Sequence, residues 1–242
     1  MDSWADTVEK AIEAFAKKHA STFSRSERQL HAAFEIGCFL AIVRCYERRG
    51  FACSVENLRA GQYPYLTTPS GNPANYSFVR ATLAEEVEIR QQVRVRSHLD
   101  PDIAFTPDII VVRAASNISG IKDADYSGGK RRLFCVNAAD VVAAHECKSC
   151  PPWPELLVSF VGMLIAAHPW LGSPNDRSMV DKKGDHLAPT LFVGGTARAL
   201  HRRMVKALCG TYPMNAILGM HFGTWELEKD TSDVAFIRYP LK

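Results

Sequence analysis

The segment VVAAHECK (residues 141–148) combines an apolar run with a charged end. Its first four residues are apolar, which is typical of a buried β-strand. Because successive side chains of a strand point to opposite faces, Glu146 and Lys148 are expected on the same face. His145 and Cys147 then point towards the opposite layer, where core packing is their expected role. The pattern predicts two charged groups side by side at the end of a core strand.

A second apolar strand carries an acid at its start. Asp108 precedes the run Ile109–Val112 and stands 38 positions before Glu146. If the two strands are neighbours, Asp108 lies beside Glu146. A rival Pro-Asp pair ends at Asp102, but a break at residues 106–107 follows it. The uninterrupted strand therefore favours Asp108 over Asp102.

Two carboxylates a few ångströms apart suit a hard cation. Mg²⁺ takes oxygen ligands, keeps several waters and uses one or two protein carboxylates. Asp108 and Glu146 are therefore predicted to hold Mg²⁺, with Mn²⁺ as a substitute. Such a cation polarises a phosphoryl oxygen and lowers the pKa of a bound water. Lys148 is placed to orient or help deprotonate that water and to stabilise charge on the phosphate.

These residues resemble a known signature. Pro107-Asp108, an apolar strand and then Glu146-Cys147-Lys148 resemble the motif of the PD-(D/E)XK nuclease superfamily, over roughly residues 26 to 220. The resemblance implies a restriction-endonuclease-like fold, a mixed β-sheet flanked by helices on both faces, and Mg²⁺-dependent hydrolysis of DNA phosphodiester bonds. It also implies a setting in prokaryotic defence or mobile-element processing, and a homodimer that cuts two strands. A glutamate on the first core helix often joins the metal site in that family, and Glu35 matches its position.

Other interpretations stay open. A Pro-Asp before a strand is often only a turn, and Glu and Lys two apart on a strand are often a solvated ion pair. Glu35, in an apolar helix, needs a partner, and a structural hydrogen bond competes with a role at the site. One alternative function is a catalytically inactive nuclease-fold module for nucleic-acid binding or assembly. Another is a zinc site using Cys147 and Cys150, for which the sequence shows no second cysteine pair.

Basic side chains form candidate contacts to a nucleic acid. The candidates are Arg90 and Arg94 on one predicted strand, and Lys130, Arg131 and Arg132 at a predicted turn. Binding of phosphates by such residues is independent of base sequence and sensitive to salt. A solvated polar face explains each group equally well. The turn is the best placed of these groups to reach a phosphate backbone.

Hydrophobic spacing predicts an α/β protein. One domain is expected over residues 1–242, with residues 1–25 as an N-terminal helical extension and 26–220 as the core. Predicted helices cover residues 4–19, a segment from a cap at Ser24 or Ser26 to about 49, 155–168 and 196–208. Predicted strands cover residues 76–81, 87–96, 109–112, 133–136, 141–148, 189–193, 215–220 and 234–237. Residues 114–130 are expected as a polar insertion between the two halves of the motif.

Composition restricts the class of protein. With 47% hydrophobic and 23% charged residues, the chain has the composition of a folded globular protein. The net charge of +3 permits a nucleic-acid partner without requiring one. Seven cysteines, an odd number in mostly apolar surroundings, favour reduced thiols and a cytoplasmic location. The N-terminus does not resemble a signal peptide, and the longest apolar stretch, residues 156–167, is too short to span a membrane.

Overall fold

Helices and strands alternate along the part of the chain that the structure describes. This computed structural model describes residues 4–19, 30–66, 71–114, 116, 118–121, 133–171, 178–222 and 234–238. The described helices are α1 (Trp4–His19), α2 (Leu30–Arg48), α3 (Pro154–Ala167) and α4 (Ala199–Thr211). The described strands are β1 (Ala52–Glu56), β2 (Phe78–Thr82), β3 (Glu86–Gln91), β4 (Arg94–Arg96), β5 (Ala104–Phe105), β6 (Ile109–Arg113), β7 (Ser119–Ile121), β8 (Leu133–Asn137), β9 (Val141–Lys148), β10 (His186–Leu187), β11 (Thr190–Val193), β12 (Asn215–Leu218) and β13 (Phe236–Ile237).

A seven-stranded mixed sheet forms the centre of the fold. Its strand order is β1-β2-β3-β6-β9-β11-β12. Neighbours from β1 to β9 pair antiparallel, whereas β9, β11 and β12 pair parallel. β6 and β9 lie in the middle, and Ile109–Val112 and Val141–Ala144 are completely buried. Their apolar runs form central strands because every side chain there is covered by a neighbouring layer.

Helices cover both faces of this sheet. Along β11 the side chains alternate: Phe192 packs in one cluster with α1 and α2 residues, whereas Leu191 and Val193 pack in another with α3 and α4 residues. α2 is apolar around most of its circumference because it lies between α1 and the sheet. The prediction of an α/β protein with a mixed sheet between helices is thereby confirmed. None of the described helices is long and apolar enough to cross a membrane.

The prediction of one strand over residues 87–96 is wrong. The chain leaves the main sheet after β3, and β4 joins a second sheet of order β5-β4-β8-β7. Between the two strands Gln92 has φ = +50°, a left-handed conformation that no continuous strand contains. The predicted insertion between the halves of the motif contributes β7 to this second sheet, and residues 122–132 lie outside the described residues. A separate pair, β10 with β13, adds a short antiparallel ladder.

Candidate functional site

The ends of two central strands bring three charged side chains together. Asp108 immediately precedes β6, and Glu146 and Lys148 end β9. β6 and β9 are antiparallel neighbours in which Ile109 pairs with His145, so Asp108 stands opposite Glu146. Since directly opposite residues of an antiparallel pair share a face, the two carboxyl groups project from the same place. The structure thus brings together the residues that the sequence predicted to be adjacent.

The ammonium of Lys148 lies at the centre of this group. Its Nζ donates to Asp108 Oδ2 at 3.3 Å and to Glu146 Oε1. It also donates to the main-chain oxygen of Cys147 at 3.2 Å. Three oxygens, two of them from carboxylates, therefore surround one cationic point. The Lys148 side chain keeps 31% of its surface exposed, so solvent reaches the group.

Asp108 is held on both of its carboxylate oxygens. Oδ2 accepts from the main-chain N–H of Cys147 at 2.8 Å, and Oδ1 accepts from Nε2 of Gln92 at 2.9 Å. Asp108 is buried, with 7% of its surface exposed. The rival acid Asp102 lies in an exposed turn. A buried carboxylate with this many donors is fixed in orientation, as a ligand for a cation must be.

Glu35 reaches the same group from α2. Burial and, next to it, the negative charge of Asp108 raise the pKa of Glu35 to about 7, against the opposing effects of Lys148 and Gln92. Glu35 is therefore close enough to Asp108 and Lys148 for their charges to matter. A carboxyl group that titrates near neutrality is suited to proton transfer at physiological pH.

The group carries more negative than positive charge. Burial raises the pKa of Glu146 above its ordinary value, and the charge of Asp108 adds to this effect. Burial alone would lower the pKa of Lys148, but the charges of Asp108 and Glu146 outweigh it and raise the pKa instead. Three carboxyl groups thus share one ammonium. We call Asp108, Glu146, Lys148, Glu35 and Gln92 the strand-end cluster.

The oxygens of this cluster fit Mg²⁺ better than zinc. Asp108 and Glu146 supply two carboxylates and Cys147 a carbonyl, a set of hard donors that waters complete around Mg²⁺. Among the described residues, no three His, Cys, Asp or Glu side chains converge as a metal site. The thiol of Cys147 is buried and hydrogen-bonded to that of Cys38 on α2, on the side away from Glu146. Zinc binding through Cys147 therefore finds no support in this geometry.

Two of the predicted nucleic-acid contacts, Arg90 and Arg94, lie in different sheets. The guanidinium of Arg90 bonds Glu88 at 2.7 Å and covers the ring of Phe78 at 3.7 Å, so it is engaged within the protein. Arg94 lies on β4 in the second sheet, not on the same strand as Arg90. Lys130, Arg131 and Arg132 lie outside the described residues. A role in binding nucleic acid stays a prediction for all five.

Gln92 is a member of the cluster that sequence reasoning missed. Gln92 is the first residue after β3, which ends at Gln91. Its main-chain N–H donates to the carbonyl of Asp108 at 2.9 Å. The apolar residues Val87, Ile89, Val93 and Val95 keep a period of two across this position. The periodicity therefore predicts one strand and gives no sign of the break between β3 and β4. The left-handed conformation is the feature that marks the residue, and it is visible only in the folded chain.

Comparisons with protein-family models, curated proteins and solved structures gave no significant match to this chain. The resemblance to the PD-(D/E)XK superfamily accordingly depends on the residues of the motif and on their arrangement here.

Proposed function

We propose that this protein is a Mg²⁺-dependent nuclease that hydrolyses phosphodiester bonds of DNA. The observation that carries the proposal is the convergence of Asp108 Oδ2, Glu146 Oε1 and the Cys147 carbonyl on the ammonium of Lys148. These are a buried carboxylate, a half-buried carboxylate and a carbonyl at one point, beside a lysine. That combination is suited to hold a divalent cation and to meet a phosphate.

In the proposed reaction Asp108 and Glu146 would hold the cation through their carboxylates. Bound there, Mg²⁺ would supply polarisation of the phosphate and a more acidic water. Lys148 would leave its place between the carboxylates and donate to a phosphate oxygen, where negative charge grows. Glu35, whose pKa lies at about 7, would accept the proton that the attacking water releases.

The fold supports the same proposal in part. A mixed sheet between helices, with the cluster at the ends of two adjacent central strands, agrees at the level of architecture with the restriction-endonuclease-like fold that the resemblance implies. DNA as substrate, a homodimer and a setting in prokaryotic defence or mobile-element processing follow from the resemblance alone. They belong to the proposal only as implications of that resemblance.

The test is cleavage of supercoiled plasmid in Mg²⁺ or Mn²⁺. Wild-type protein is expected to nick or linearise the plasmid, and EDTA is expected to stop it. Glu146→Gln keeps the shape of the side chain but removes its charge, and it is expected to abolish cleavage. Glu56→Gln is the matched control, because Glu56 is at the end of edge strand β1, away from the cluster, and accepts a hydrogen bond from Ser54. A wild type that leaves the plasmid uncut in both metals contradicts the proposal.

One observation favours a second function. The ammonium of Lys148 already satisfies Asp108 and Glu146, so the three groups can serve as a closed structural ion-pair network. A catalytically inactive module that binds nucleic acid or assembles with a partner needs no more than this. Binding of labelled duplex DNA without cleavage, undiminished in Glu146→Gln, is the result that selects this function.

A further inference from the structure

Gln92 has a backbone conformation that its residue type disfavours. Its φ is +50°, one of three such values at non-glycine residues in the described part of the chain. A left-handed conformation is costly for any residue with a Cβ atom, because that atom comes too close to the next carbonyl oxygen. Residues that adopt it nevertheless are concentrated at functional sites. A glycine or asparagine would occupy this position with less strain. Another property of Gln92 must explain its presence.

Its side chain supplies that property. A carboxamide has two N–H donors on one nitrogen. Nε2 of Gln92 donates to Asp108 Oδ1 at 2.9 Å, and the Gln92 amide also lowers the pKa of the nearby Glu35 carboxyl. The main-chain N–H of Gln92 binds the carbonyl of Asp108 at 2.9 Å, which ties the break after β3 to the start of β6. Gln92 therefore binds Asp108 twice, once through its side chain and once through its main chain.

We propose that Gln92 is a positioning residue that holds Asp108 in the orientation in which it receives the divalent cation. This inference rests on the proposed function. The neutral amide fixes the Asp108 carboxylate without changing its charge. Asp108 keeps Oδ2 directed towards the point that Lys148 occupies, because Oδ1 is engaged by Gln92. Partners of this kind typically change metal affinity by about 10- to 100-fold when removed.

Three variants separate positioning from general stability. Gln92→Gly relieves the left-handed backbone and removes the donors, so its melting temperature is expected not to fall while its affinity for Mg²⁺ drops. Gln92→Met keeps the length of the side chain without the donors. Gln91→Met is the matched control, because the buried amide of Gln91 donates to Tyr63 Oη at 2.9 Å in the core. Its loss affects the fold without touching the cluster.

The measurement is calorimetric titration of each protein with Mg²⁺, together with the Mg²⁺ dependence of cleavage. We expect a Kd about 10-fold or more above wild type for both Gln92 variants, a wild-type Kd for Gln91→Met, and recovery of cleavage at high Mg²⁺. Wild-type affinity in Gln92→Gly and Gln92→Met overturns the role of Gln92 alone. Equal weakening in Gln91→Met also overturns it, since packing would then explain the effect. A wild type that binds no Mg²⁺ removes the proposed function, and the positioning role with it.

Discussion

The strand-end cluster and a second buried polar group show two uses of charge in the same fold. In the second group, Tyr46 on α2 meets Nδ1 of His186 at 3.1 Å, and Nε2 of His186 meets the carboxylate of Glu85. We call these three residues the His186 network. His186 is fully buried, and the rings of Tyr46 and Phe51 lie 5.7 and 5.8 Å from it. Each polar atom named in this network has one partner, as a structural network requires.

The two groups differ in the number of their carboxyl groups and in access. The His186 network has one carboxylate, and burial lowers the pKa of His186, whose side chain is 1% exposed. The strand-end cluster has three carboxyl groups and one ammonium, and the side chain of Lys148 is 31% exposed. Carboxylates gathered where solvent can reach them suit a divalent cation, whereas a single carboxylate beside a buried imidazole does not. The number of carboxyl groups and their access therefore identify which of the two groups is the candidate site.

The largest effect is expected from Lys148→Met. The change removes the ammonium and leaves most of the aliphatic side chain. Cleavage is expected to fall by about 10²- to 10³-fold, the usual loss when one donor to a developing charge is removed. Plasmid-cleavage rates at saturating Mg²⁺ measure it. Tyr46→Phe in the His186 network is expected to cut at the wild-type rate. Equal losses of cleavage in both variants would contradict the assignment of the strand-end cluster, rather than the His186 network, as the active site.

Asp108→Ala is expected to lower the free energy of unfolding by about 2 kcal/mol in EDTA. The substitution deprives the Cys147 N–H, the Gln92 amide and Lys148 of an acceptor, and unpaired buried donors are costly. Relief of repulsion with Glu146 offsets part of the loss. Urea denaturation measures it, with the exposed Asp102→Ala as the control. A change no larger than that of the control would show that Asp108 is not buried among donors.

Glu35→Gln is expected to stabilise the metal-free protein at pH 8, by on the order of 1–2 kcal/mol. The pKa of Glu35 is raised from 4.5 to about 7, so the folded state holds a proton that the unfolded chain has already released. Wild-type stability therefore falls as pH rises from about 4.5 to about 7 and levels off above that. A glutamine cannot ionise, so the stability of the variant does not fall with pH on account of residue 35.

Denaturation in EDTA at pH 5 and at pH 8 measures the Glu35 effect. Glu13→Gln, at an exposed position of α1, is the control and is expected to follow the wild type at both pH values. A Glu35→Gln protein that is no more stable than wild type at pH 8 would contradict the raised pKa of Glu35.

The smallest effect is expected from Tyr46→Phe on stability. The variant loses one hydrogen bond to His186 and is expected to unfold about 1 kcal/mol more easily. Urea denaturation measures the loss, and calorimetry checks that the affinity for Mg²⁺ is unchanged. A weakened affinity would mean that the His186 network supports the site.

Much of this fold follows from local patterns, and the rest does not. The bounds of α1 and β9 agree with the predicted residues 4–19 and 141–148, because both elements have an unbroken period or apolar run. The convergence of Asp108 with Glu146 also follows from alternation and from the order of strands. The break after β3 does not, because the left-handed conformation of Gln92 is imposed by contacts with Asp108 that the sequence does not display.

Short strands escaped prediction for a related reason. β5 and β10 have two residues each, too few to show a period. β1 was also missed, since cysteine, serine and glutamate give its five residues no clear alternation. The role of Glu35 was suggested by its place in an apolar helix, whereas its proximity to Asp108 and Lys148 is a matter of tertiary packing.

The most direct test of the central claim is calorimetric titration of the wild-type protein with Mg²⁺ at pH 6 and pH 8. Mg²⁺ competes with protons for carboxyl groups whose pKa values are raised, and that of Glu35 lies at about 7. We predict one binding event that is tighter at pH 8, releases protons at pH 6, and disappears in Glu146→Gln. Absence of binding at both pH values, or binding that Glu146→Gln leaves unchanged, would contradict the assignment of the strand-end cluster as the metal site.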